Sequence, residues 1–144
     1  MEPHIHIVQY YETDKMAITH HSNYIRWMEE ARVSFLNQIG WGFDKMEEMG
    51  LASPVLTVSS HFLHSTTFAD TVSIEAYIKE CSGLKLFIGY IMKNAKTGQT
   101  VCTGETSHCF FNSEGRPVRL QKDYPELFAA LEENRLQHEG KTQK

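Results

Sequence analysis

Asp14 precedes His21 by seven positions, and His21 stands at the head of a segment whose apolar residues recur with helical spacing. Tyr24, Trp27, Met28, Ala31, Phe35 and Ile39 follow the three-and-four rhythm that gathers side chains on one helix face. The first-turn amides of a helix have no partner inside it and concentrate positive potential. A ligand oxygen held there is polarised by fixed donors. A carboxylate beside it can attack the polarised carbon, or deprotonate a water that attacks it. An Asp ahead of a helix can equally cap a turn in its own loop. Sequence alone leaves both roles open. Ser22 is placed to cap the helix through its hydroxyl. No Glu or Gln stands three residues later, so a reciprocal capping box is not expected.

Other groups carry weaker signals. Among eight histidines, His4 and His6 alternate onto one strand face, while His61 and His64 are three apart and face opposite sides. Zinc takes three or four converging ligands. No spacing along the chain supplies them, so no metal site is expected. His21 either hydrogen-bonds at the helix entrance or orients a ligand or Asp14. Glu29 and Arg32, three apart on the helix, read as a structural ion pair. Tyr24 and Trp27 read as core that can border a pocket. Ser107, His108 and Cys109 are consecutive on a strand, so they alternate faces and form no nucleophile–base pair. Cys81, Cys102 and Cys109 are odd in number and lack a Cys-x-x-Cys pair, which argues against a disulfide framework or a thiolate zinc site.

These groups must be positioned by a small set of elements. Residues 4–10 alternate Ile and Val with polar residues and read as a strand. Residues 12–20 are a polar loop, and the long helix spans 23–39 with Gly40 as its stop. A short helix is expected over 43–49, ended by Gly50. Four strands follow, at 55–63 behind Pro54, 72–78, 84–92 and 100–111, separated by Ser82-Gly83 and Lys96-Thr97-Gly98 turns. Their hairpin spacing predicts an antiparallel meander. A helix is expected from Pro125 to about Gln137, then a polar tail. The result is a compact α+β plan in which one sheet curls round one long helix and leaves open edges.

A chain of 144 residues suits one domain with a real core. The net charge of −4 and the lack of a basic run predict no nucleic-acid partner. There is no signal-peptide pattern and no apolar run of spanning length, so a reduced cytoplasmic setting and no membrane partner are expected.

The run Tyr11-Glu12-Thr13-Asp14-Lys15-Met16-Ala17-Ile18-Thr19-His20-His21-Ser22-Asn23-Tyr24, followed by Glu29-x-Ala31-Arg32, resembles the signature of the 4-hydroxybenzoyl-CoA thioesterase-like family of hotdog-fold acyl-CoA thioesterases. The likeness continues through Phe68-Ala69-Asp70 and residues 115–119, and so covers the chain to about residue 128. Family members carry Gly near position 17, where this chain has Ala17. The resemblance implies a hotdog fold over residues 1–128, an antiparallel sheet of about five strands wrapped around the central helix, with 129–144 as the end of a C-terminal helix and its tail. It implies hydrolysis of an acyl-CoA to free acid and CoA, with CoA entering as substrate and no separate cofactor. Asp14 matches the catalytic carboxylate, as nucleophile or general base. His21, Asn23 and Tyr24 match the carbonyl-polarising helix end. Lys85, Arg116 and Arg119, together with Lys122, are the candidates for the CoA phosphates, although none stands in a phosphate loop. Hotdog proteins pair sheets edge to edge with sites at the interface, so a homodimer or homotetramer is expected. The alternatives are hydrolysis of a carrier-protein thioester and acyl-CoA binding without turnover. The acyl group is not specified by the sequence.

Overall fold

The computed structural model describes residues 1–142. Strands β1 (His4–Ile7), β2 (Val55–Phe62), β3 (Thr71–Cys81), β4 (Lys85–Asn94) and β5 (Thr100–Cys109) form one antiparallel sheet in the order β1-β3-β4-β5-β2. Strands β3, β4 and β5 make the meander that the turn spacing predicts. β2 departs from it, pairing with β5 at the far edge, while β1 pairs with β3 at the other. The cause is the intervening helix α1 (Ser22–Gln38), followed by the short α2 (Phe43–Glu48). α1 must lie on a sheet face to bury its stripe, and the strand that follows then begins at the opposite edge.

α1 buries the face that its periodicity defines: Trp27, Met28, Ala31 and Phe35 are almost fully enclosed. They share a core with Leu86, Ile88, Tyr90 and Met92, the alternate residues of β4. Met28 lies so close over Gly104 of β5 that a Cβ there would stand 2.2 Å from its methyl. A side chain there would displace the Met28 methyl and crowd the Ser59 carbonyl oxygen, 3.0 Å away, so glycine eases this packing.

The first strand is shorter than expected, because Tyr10–Glu12 coil into a single 3-10 turn. After α3 (Leu120–Asp123), helix α4 (Pro125–Thr142) runs past residue 137, where a polar tail was expected. Two things extend it. Arg135 bonds Glu132 at 2.9 Å and Glu139 at 2.7 Å, one helical turn on either side. His138 stacks on Tyr77 of β3 with ring centroids 3.9 Å apart. The last two residues of the expected tail lie outside the described residues.

Candidate active site

The loop carrying Asp14 is closed on itself and tied down at both ends. Asp14 N–H donates to the Ile18 carbonyl, and Ala17 N–H donates to the Asp14 carbonyl, each at 2.9 Å. Thr13 and Thr19 pair across the base of this loop. Ala17 holds φ at +64°, a left-handed conformation that glycine adopts freely and alanine does not. The Ala17 carbonyl accepts from the Thr67 hydroxyl at 2.8 Å. Thr19 N–H donates to the Thr66 carbonyl, and Tyr24 reaches the Thr66 hydroxyl at 2.9 Å.

Glu12 anchors the start of this loop, and sequence reasoning assigned it no role. Its buried carboxylate accepts from Gln9 N–H, His6 Nε2 and Trp27 Nε1, each at 2.8 Å. Burial alone would push this group up. The Gln9, His6 and Trp27 bonds outweigh that and hold it below the usual carboxylate range. The one signal in the sequence was an acid two residues before Asp14, ahead of a helix bearing a tryptophan.

Asp14 plays the turn-capping role and leaves half its carboxylate open. Oδ1 accepts from Met16 N–H at 2.8 Å. Oδ2 has no hydrogen bond among the described residues. Asp14 lines a cleft of about 350 Å³ together with Met16, Ile18, His21, Tyr24 and Phe62. His21 is the N-cap of α1, so the carboxylate and the helix end meet at one cavity.

The helix end differs from expectation in its details. Ser22 does not cap: it begins the helix, and its hydroxyl and N–H both turn to His20 Nδ1, at 2.9 and 3.2 Å. The Asn23 and Tyr24 amides bond the His20 and His21 carbonyls at 3.0 and 3.3 Å. The Asn23 side chain donates to the Glu12 carbonyl at 2.9 Å. Asn23 and Tyr24 therefore build the turn, and the His21 N–H is left without a partner among the described residues. The His21 ring stacks on His20 at 4.2 Å and meets Phe62 edge-on at 6.2 Å. The Tyr24 ring also meets Phe62 edge-on, at 5.3 Å, and completes an aromatic wall.

Lys85, Arg116, Arg119 and Lys122 are not brought to this cleft. Lys85 opens β4 opposite Cys109, and Leu120 bonds Gly83 beside it, so all four belong to the Cys109 end of β5. The cleft lies at the other end, where Phe62 pairs with Cys102. The two ends are about 24 Å apart at the usual strand rise. All four basic side chains are exposed.

Arg32 forms no ion pair with Glu29 among the described residues. Its guanidinium is buried, donates to the Ser53 carbonyl at 3.2 Å and faces His108 Nδ1 at 3.4 Å. Burial first, and this cation second, push His108 down to about 4. The three cysteines are free thiols.

The sequence model of the Thioesterase-like superfamily matches residues 8–131. A Bacillus subtilis protein named "Putative acyl-CoA thioesterase YneP" is 29% identical over 87% of this chain and 91% of its own length. An Aquifex aeolicus protein named "Putative esterase" is 33% identical over 83% of this chain and 91% of its own. Among solved structures, a DHNA-CoA thioesterase from Staphylococcus aureus superposes with a TM-score of 0.88 at 26% identity, covering 99% of this chain and 95% of that one. Among the described residues, no helix is long and apolar enough to cross a membrane.

Proposed function

Because the chain belongs to the thioesterase-like superfamily of hotdog proteins, we propose that it hydrolyses an acyl-CoA thioester to the free acid and CoA, using Asp14. The observation that carries this reading is the shared cleft: an open carboxylate oxygen of Asp14 and the unpartnered N–H of His21 at the head of α1. The thioester oxygen is held on the His21 N–H, so charge developing on it meets a fixed donor and the positive helix end. As general base, Asp14 takes a proton from water while the water oxygen bonds the carbonyl carbon. The C–S bond then breaks and CoA leaves as thiolate. As nucleophile, Asp14 forms a mixed anhydride as the thiolate leaves, and water opens that anhydride in a second step. Hydrolysis in oxygen-18 water under single turnover tests for the second route: label in Asp14 requires an anhydride opened at the aspartyl carbon. The acyl group lies along Tyr24 and Phe62, a wall suited to apolar or aromatic acids.

The working unit is proposed to be a homodimer joined along β2. This edge strand exposes Val55, Leu56, Val58 and Phe62 while pairing on one side only. A second copy pairing antiparallel across a two-fold axis covers it and leaves no open edge there. It also brings the Val55 end of one β2 to the Phe62 end of the other. That places the partner's basic segment within reach of this chain's cleft, which gives Lys85, Arg116 and Arg119 their role toward the CoA phosphates.

Asp14→Asn keeps the Met16 turn bond while removing charge and basicity. Thiol release from a panel of acyl-CoAs is expected to fall at least about a hundredfold, the scale of a positioned base. Near-normal turnover removes Asp14 from the mechanism. Saturable acyl-CoA binding without thiol release by the native protein removes hydrolysis itself.

A further inference from the structure

We propose that His4, His6 and Glu30 bind a divalent transition-metal ion of the zinc class and that this ion clips β1 to α1. Strand alternation turns His4 and His6 toward the helix, while Ile5 and Ile7 point away and are exposed. Glu30 of α1 meets them: its Oε1 lies 3.0 Å from His4 Nε2 and 3.1 Å from His6 Nδ1. One ligand atom from each residue falls within a 4.8 Å cluster. A tetrahedral zinc with bonds of about 2.0–2.1 Å needs its ligand atoms about 3.3 Å apart. Small side-chain rotations therefore seat the ion.

The hydrogen bonds around His6 favour a cation. Its Nε2 points at Glu12 Oε1 at 2.8 Å, and that carboxylate already accepts from Gln9 and Trp27. Glu12 thus holds Nε2, and Nδ1 on the other side of the ring lies 3.1 Å from Glu30 Oε1. A metal taken up there replaces that contact with two coordinate bonds. A ligand histidine whose other nitrogen is held by a carboxylate is the usual second layer of a metal site. The His6 ring is steadied further by Trp27, 4.6 Å away between centroids. Two imidazoles and a carboxylate suit zinc and its neighbours better than calcium or magnesium, which prefer all-oxygen sets. An open depression of about 570 Å³, bordered by His4, Glu30 and Asn37, gives the ion an entry and leaves a coordination position for water. None of the three ligands lines the Asp14 cleft.

The test is zinc uptake by chelator-stripped full-length protein, followed by calorimetry and by the visible spectrum of the cobalt(II) form. One ion per chain is expected, with a dissociation constant on the order of 1 µM or below, together with a rise in melting temperature. His4→Ala and Glu30→Gln change partly exposed side chains and spare the His6–Glu12–Trp27 packing, so circular dichroism should show both variants folded. Each is expected to weaken binding at least tenfold and to change the cobalt spectrum. Glu12→Gln is expected to weaken it about 10–100-fold through His6. No uptake at about 100 µM zinc by the native protein overturns the site. So does unchanged affinity in the His4→Ala, Glu30→Gln double variant, which places the ion on other histidines.

Discussion

At the scale of single residues, what distinguishes this site is how few groups are left without partners. Asp14 has one carboxylate oxygen committed to its own turn and one open. The first turn of α1 consumes the Asn23 and Tyr24 amides and spares that of His21. Asp14 and His21 line the same cavity, and that coincidence supports the proposed hydrolytic role more strongly than the identity of either residue. His108 shows the opposite case, a titratable group enclosed with every nitrogen used. Nε2 meets the Thr106 hydroxyl at 2.8 Å, and Nδ1 faces Arg32. Burial and the cation keep it neutral down to about pH 4, while the unfolded chain binds the proton near 6.5. Between those values the unfolded state carries more protons than the native one, so stability rises with pH across this window and falls as the solution is acidified. The loss on going from about pH 6.5 to 4 should be about 3 kcal/mol from this group. Urea unfolding at intermediate pH values measures it. The slope should flatten in His108→Gln, and an identical slope in that variant assigns the effect elsewhere.

At the scale of elements, the Asp14 loop is a strained connector fixed by its neighbours. Ala17 sits at φ +64° with its side chain exposed. Its Cβ therefore costs conformational energy and gains no burial. An L-residue in this region is disfavoured by about 1–2 kcal/mol, and glycine gives back part of that through its looser unfolded chain. Ala17→Gly should stabilise the protein by about 0.5–1 kcal/mol, or about 2–4 °C per kcal/mol in melting temperature for a chain of this size. The gain reads directly in a thermal melt. A loss of stability would mean that the loop holds this conformation at no cost. Thr67, Thr66 and Glu12 grip the loop from three directions, which explains how a non-glycine residue is held there. The same logic applies to β1 and α1. Trp27 and His6 converge on Glu12, so one buried carboxylate joins a strand, a turn and a helix.

At the scale of the whole molecule, the β2 edge is the open question that the fold itself poses. Val58 is 40% exposed in the middle of a strand with one neighbour, and Phe62 at its end is 51% exposed although it walls the cleft. Apolar residues bare on an unpaired edge invite a second strand. Val58→Lys places a charge where two copies would meet. Light scattering should show the mass of the native particle halved or reduced, with circular dichroism unchanged. On the proposed dimer, thioester hydrolysis should fall at least about tenfold, since each cleft would lose the partner's basic segment. A native-like mass and rate in this variant would return the site to a single chain. A monomer with full activity would keep the dimer and separate it from catalysis.

Much of this protein is determined locally and so could be read from the sequence. The helical stripe of Tyr24 to Phe35 requires a buried helix, and the alternation in β4 requires a sheet with one enclosed face. These signals come from spacing, which a linear chain carries intact, whereas Asp14 was singled out by the family resemblance of its motif. What tertiary structure alone decided is everything that depends on residues distant in sequence arriving together. Strand β2 went to the far edge because α1 had to cover a sheet face first. Arg32 turned from Glu29 to His108, 76 positions away, because burial favoured packed polar partners over an exposed pair. Lys85, Arg116 and Arg119 lie at the end of their own chain's sheet opposite the Asp14 cleft, a fact no spacing encodes. Glu30 joined His4 and His6 from 24 to 26 positions away. Periodicity describes a face, and only the closing of one face upon another decides which side chains meet.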